Sequence, residues 1–329
     1  MRILVTGAFG FIGTAVVHRF AQNGHDVTAL TSRPIGQVPS DIPVAEVVHG
    51  SLLNEESLSR ALRGADGVVH LGALTRVRES FEREREYHAV NVSGTASLVR
   101  AAQAENSAST RPLRFVFAST GSVYDTAAPQ PFTESSAAKP TNPYAQSKMQ
   151  AEEVLRTAAS ESSRSSVTIL RLFNVAGAAH GRGDGDLSRI IPKALAVAAG
   201  HEQQLQVNGD GSALRDFVHV SDVASALTRA LLFGRLGEAR TYNVGATSAS
   251  VADIIKVCGE VSGRAIPAEH LPPKPEPQVL LADCSAIRSD LDWTPKHSDL
   301  SRIVSDAWAA VKSAGRRSSS VDGSPAQSA

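Results

Sequence analysis

Tyr144 and Lys148 stand four residues apart in Pro143-Tyr144-Ala145-Gln146-Ser147-Lys148, and they are the residues best suited to chemistry. Proline suits the first helical turn, so a helix opening at Pro143 puts both side chains on one face. An ammonium held near a phenol favours phenolate and lowers a pKa that begins at about 10. A phenol primed in this way takes a proton from a sugar or alcohol hydroxyl near neutral pH, which is general-base work. Alone, the spacing also fits an ordinary amphipathic helix start. Upstream residues decide between the two. Thr120 lies 24 positions before Tyr144 (144 − 120), in Ser119-Thr120-Gly121-Ser122 after an apolar run. A parallel sheet would deliver these hydroxyls and the Tyr-Lys pair to one cleft.

The elements that must position them can be followed along the chain. Arg2–Thr6 reads as a buried strand, and Gly7-x-x-Gly10-x-x-Gly13 follows it into the apolar-periodic Ala15-Val16-Val17 and Phe20. Strand, glycine turn and helix form the context of a dinucleotide-binding fingerprint. Gly7 permits the tight turn, Gly10 lets a pyrophosphate approach the backbone, and Gly13 lets the helix pack on the strand. A second strand, 26–30, ends at Thr31-Ser32-Arg33, where an acidic residue would hold the ribose of NAD. Arg33 instead makes room for a 2′-phosphate, so NADP stays open beside NAD.

A third strand, 68–71, ends at Gly72-Ala73, and His70 reads as a core histidine. One long helix is expected over 79–104, with Asn91 inside it marking a polar contact or a bend. Further strands are expected at 113–118 and 167–172, the second leading to Phe173-Asn174 and a glycine-rich loop, 177–185. That loop and a helix over Ile190–Ala199 suggest a lobe covering a substrate. A strand at 215–220 feeds a helix with Ser221 as its N-cap, and a strand at 241–244 and a helix at 251–261 follow. Residues 271–277 read as extended. The fold class expected is α/β, a doubly wound parallel Rossmann sheet with a smaller α/β substrate lobe. Residues 1–173 with 215–246 would bind the dinucleotide, 174–214 with 247–312 the substrate, and 313–329 would form a disordered tail.

Composition narrows the class. The 329 residues are 42% hydrophobic and 20% charged, and 33 basic residues balance 33 acidic ones. Such a chain carries no electrostatic footprint for nucleic acid or a membrane surface. The first strand begins at once, which leaves no room for a signal peptide, and no apolar run is long enough to span a bilayer. Cys258 and Cys284 match neither a metal-ligand spacing nor a disulfide framework. No metal is expected, and a cytoplasmic setting is.

As a set, the glycine fingerprint, His70-Leu71-Gly72-Ala73, Asn91, Ser119-Thr120, Tyr144-x-x-x-Lys148, Arg171-Leu172-Phe173-Asn174 and Arg215-Asp216-Phe217-x-His219-Val220 resemble one family. It is the extended short-chain dehydrogenase/reductase family, in its nucleotide-sugar epimerase/dehydratase group. The resemblance covers residues 2–308, and the pattern is most similar to the UDP-galactose (UDP-glucose) 4-epimerases. It implies that Tyr144, Lys148 and Thr120 are catalytic, with Thr120 bonding the sugar hydroxyl at C4. The implied cofactor site comprises Gly7, Phe9, Gly10, Phe11, Ile12, Gly13, Ser32, Arg33, Ser51, Leu52, Leu71, Gly72, Ala73, Asn91 and Ser119, together with Tyr144 and Lys148. Thr120, Ser122, Asn174, Arg215 and Lys274 would hold a nucleotide sugar, UDP-linked by the same resemblance.

The activity implied is 4-epimerisation by transient oxidation at C4 and return of hydride to the other face of the keto sugar. Gly121-Ser122 replace the Asp-Glu pair of sugar dehydratases, which removes the acid that expels a C6 hydroxyl. Thr31 and Ser51 stand where many relatives carry adenosine-side acids. Pro272-Pro273-Lys274-Pro275 lacks a late phosphate-binding arginine, and Lys274 offers only a point charge. An NADPH-dependent 4-ketoreductase and a non-catalytic cofactor-binding regulator are the rival expectations. The helices near Glu79 and Tyr144 imply a C₂ homodimer.

Overall fold

Ile3, Leu4 and Val5 are all fully buried, as a strand must be when both faces of its sheet are covered. In the computed structural model, which describes residues 1–107, 111–274 and 276–321, that strand lies inside a seven-stranded sheet. The strands run in the order Ala239–Val244, Ser165–Leu172, Leu113–Thr120, Gly67–His70, Arg2–Thr6, Asp26–Thr31 and Glu46–His49. Every pair in the sheet is parallel. Chain order reverses between Arg2–Thr6 and Gly67–His70, and a ligand crevice opens beyond the carboxyl ends of strands at such a switch point. The edge strand Glu46–His49 was not expected; it has only four residues and weak apolar patterning.

Helices cover both faces. Phe11–Gln22 and Val220–Phe233 pack on one side through Val16, Val17, Phe20, Val223 and Leu227. On the other, Glu55–Leu62, Gly94–Ser107 and Pro143–Ser160 bury Leu58, Leu98, Ala151 and Leu155 against Phe115 and Phe117. The strand expected at 215–220 is observed as Leu214–His219, but it lies outside the main sheet. It pairs antiparallel with Thr247–Ser250 and parallel with Asn174–Ala176 and Val279–Leu280. A third apolar cluster, with Leu195, Phe217, Ile254 and Trp308, sits under this second lobe.

Three local expectations need correction. The single helix over 79–104 is broken into Val77–Ser80, Glu84–Tyr87, a π-helical turn at His88–Ser93, and Gly94–Ser107. The bend signalled by Asn91 is that π turn. The helix at Val220 is capped by His219, whose Nδ1 accepts from the Ser221 amide at 3.0 Å, so Ser221 lies inside the helix. The tail expected from Ser313 is helical to Val321, because Leu300–Val321 lays Ile303, Val304, Trp308 and Val311 on the second lobe and carries on past them. Residues 322–329 of that expectation lie outside the described residues.

Candidate active site

The helix Pro143–Ser160 begins where local chemistry dictates. Asn142 Oδ1 accepts from the Ala145 amide at 2.9 Å, and proline occupies the first turn. Ala145, Ser147, Lys148, Ala151 and Leu155 are buried, which leaves Tyr144 half-buried at the cleft. Thr120 ends the strand Leu113–Thr120 and accepts from the Ser122 amide at 3.2 Å. Its own hydroxyl is then free to donate to the Tyr144 oxygen, and that bond pulls the phenol's pKa down.

Burial outweighs this pull and raises the Tyr144 phenol above its ordinary value; the charge of Arg189 also acts to lower it. Lys148 is not among the groups that pull the phenol down, contrary to expectation. The ammonium instead lies 4.0 Å from the centroid of the Phe117 ring. At 3% exposure, burial lowers Lys148 to about 7, against an opposing lift from Glu152. Four-residue spacing sets the face of a helix, but packing sets where the long side chain points.

The cleft holding these groups has a volume of about 1210 Å³ and runs from the glycine loop to the second lobe. Gly7 has φ +71°, and a Cβ there would lie 2.9 Å from the Gly72 nitrogen. A Cβ on Gly13 would lie 2.0 Å from the Gly7 carbonyl oxygen, so only glycine lets helix and strand meet this closely. Gly10 caps the helix without any side-chain bond, which leaves the first-turn amides available to a pyrophosphate. These features fit a dinucleotide.

Phe9, Phe11, Ile12, Ser32, Arg33, Ser51, Leu52, Leu71, Gly72, Ala73 and Ser119 line the same cleft. Arg33 Nη2 donates to the Phe9 carbonyl at 3.0 Å and so braces the glycine loop. Asn91 does not line the cleft. It is buried behind the wall, where Oδ1 accepts from the Leu74 amide at 2.8 Å and Nδ2 donates to Leu74 O and to Ser147 Oγ. Its contribution is to hold the loop after the third strand against the Tyr144 helix.

At the other end Ser122, Asn174 and Arg215 line the cleft. Asn174 Nδ2 donates to Asp216 O at 2.8 Å, and Arg215 Nη2 lies 3.8 Å from Glu276 Oε2. Lys274 is not part of this wall; it lines a neighbouring cavity of about 830 Å³ with His270 and Asp210. Asn208, Ala213 and Glu276 touch both spaces.

Sequence reasoning missed Arg189, Glu276 and a relay around His70. Thr6 Oγ1 accepts from the Leu71 and Gly72 amides at 3.2 and 2.9 Å, so its proton goes to His70 Nδ1 at 2.7 Å. His70 Nε2 then donates to Thr95 Oγ1 at 3.0 Å, and Thr95 donates to the Asn91 carbonyl. Burial, with Lys148 nearby, lowers His70 to about 3 and keeps the ring neutral. No sequence signal beyond the buried position of His70 marked this chain of contacts.

Residues 3–245 match the NAD dependent epimerase/dehydratase family. The chain belongs to that family. Its relatives include the UDP-glucose 4-epimerase of Corynebacterium glutamicum, 35% identical over 333 residues that span 97% of this chain and 98% of that protein. The UDP-glucose 4-epimerase of Streptomyces lividans is 32% identical over 320 residues, 93% of this chain and 95% of its own. Among solved members of the family is a UDP-glucose 4-epimerase from Stenotrophomonas maltophila with bound NAD and formylated UDP-arabinopyranose. It superposes with TM-score 0.88 at 28% identity, over 96% of this chain and 99% of that one. The Bifidobacterium longum enzyme in complex with NAD+ and UDP gives TM-score 0.85 at 26% identity, over 95% and 98% of the two chains.

Proposed function

We propose that this chain is an NAD-dependent epimerase that inverts C4 of the sugar in UDP-glucose and UDP-galactose. The observation that carries it is the convergence of Thr120, Tyr144 and Lys148 on the cleft that also contains the glycine loop. Relatives that cover nearly the whole chain are UDP-glucose 4-epimerases, which supports the same reading. NAD, when bound, supplies the acceptor and donor for the hydrogen at C4. Tyr144 takes the proton of the C4 hydroxyl and later gives one back, as a general base and then a general acid. Thr120 donates to the Tyr144 oxygen and orients the sugar hydroxyl beside it. Lys148 supplies positive charge that stabilises the phenolate once substrate excludes water.

The seven-stranded sheet serves as the cofactor unit, and the lobe around Leu214–His219 covers the substrate. Asn174 and Arg215 reach the diphosphate from that lobe. Gly121-Ser122 place no carboxylate directly after Thr120, where the sugar dehydratases carry their Asp-Glu pair, which speaks against dehydration. We place the homodimer contact on Gly94–Ser107 and Pro143–Ser160, a reading supported by Met149 and Val154, which stay only partly buried within one chain. The activity is tested by incubating the purified protein with UDP-galactose and no added reductant. Anomeric proton signals of UDP-glucose should grow to an equilibrium mixture, and unchanged UDP-galactose with NAD present would reject the assignment.

A further inference from the structure

Glu152 lies one turn beyond Lys148 on the helix that carries Tyr144, and it is 0% exposed. Its Oε1 accepts from Ser119 Oγ at 2.5 Å and from Arg171 Nε at 3.1 Å. Oε2 accepts from Arg171 Nη2 at 2.8 Å and from Arg156 Nη2 at 2.6 Å. Ser119 is the neighbour of Thr120, and Arg171 sits opposite Ser119 in the register of the adjoining strand. One carboxylate thus ties the helix of Tyr144 and Lys148 to the strand end that presents Thr120.

Burying a charge in this way is costly, and an apolar cluster of the same volume would often hold such elements together as well or better. Packing alone gives no reason for a buried ion pair at this spot. The surroundings of Lys148 supply one. On its own helix Lys148 has Glu152 one turn ahead; from the sheet it meets the Phe117 ring and the neutral His70, with Arg171 engaged by the carboxylate. Glu152 is the negative charge in that set. Arg171 and Arg156 keep it ionised, and Arg171 lies in turn 4.7 Å from the Tyr124 ring.

We propose that Glu152 is a positioning residue for the epimerase reaction: its bonds to Ser119 and Arg171 fix the strand end bearing Thr120 against the helix of Tyr144, and they set its negative charge one turn from Lys148. The inference rests on the roles given above to Tyr144 and Lys148. Replacing the carboxylate by an amide keeps the shape and removes the charge, so Lys148 loses its proton at lower pH. The proton then resides on Tyr144 in more of the population, where it blocks base catalysis.

The test is the pH profile of the NAD-bearing, full-length protein acting on UDP-galactose. Glu152→Gln should lower kcat about tenfold or more at pH 7, with KM changed little, and move the alkaline limb of kcat down by about one pH unit. Glu152→Asp, which keeps the charge, should restore the limb toward its original position. Glu152→Gln, folded and holding cofactor, with an unmoved limb would overturn the proposal, as would Glu152→Asp with a limb displaced as far as that of Glu152→Gln. Tyr144→Phe run alongside separates the two claims: if it stays active, the assignment of Tyr144 fails, whatever the Glu152 variants do.

Discussion

The Thr120 hydroxyl spends its acceptor capacity on the Ser122 amide and its proton on Tyr144, so its value grows as the phenol becomes phenolate. Thr120→Val should therefore lower kcat by about tenfold or more and change KM little, because the bond is strongest in the charged state. Steady-state kinetics with UDP-galactose decides it; a rise confined to KM would make Thr120 a binding residue only. His70 shows a different residue-scale effect. The unfolded chain takes up a proton near pH 6.5, while the folded ring refuses it down to about pH 3. Between those values the unfolded state binds more protons, so stability falls as pH falls, by about 1.4 kcal/mol per unit from this group. Urea unfolding at pH 6.5 and pH 5 should show that slope, and His70→Gln should reduce it by about one proton.

The elements that hold the site were legible where one local signal sufficed. Pro143 announced the helix of Tyr144, Gly7, Gly10 and Gly13 the first turn, and apolar runs the buried strands. Long-range pairing hid the rest. Leu214–His219 has the pattern of a sheet strand, but pattern does not say which sheet, and its partners lie at Asn174, Ser248 and Leu280. The break near Asn91 could be sensed but not its purpose, because the groups it satisfies sit 17 and 56 residues away. Asn91→Leu should leave the Leu74 amide and carbonyl unpaired, at roughly 1–3 kcal/mol for each buried group. A thermal unfolding midpoint equal to the parent's would show that water replaces Asn91 without loss. Glu152 escaped notice because nothing in Tyr-x-x-x-Lys marks the next turn as part of the site.

Across the whole molecule, the seven-stranded sheet and the second lobe meet at the cleft, which runs from the glycine loop to Arg215. The end of the cleft at Arg215 was read least well from sequence. Lys274 was expected there, whereas Glu276 faces Arg215 and Lys274 turns to the next cavity. The proposed dimer uses two helices whose inner faces already pack on the sheet, so association adds to a finished core and does not complete it. Light scattering at micromolar concentration should give twice the mass of one chain, and a monomer mass would remove the dimer while leaving catalysis intact. The central claim is that Tyr144 moves the proton at C4. Turnover of UDP-galactose by Tyr144→Phe, with bound NAD quantified in the same sample, measures this directly. The predicted result is full cofactor content with kcat reduced by about 10²–10⁴-fold; near-parental kcat in the pure variant would contradict it.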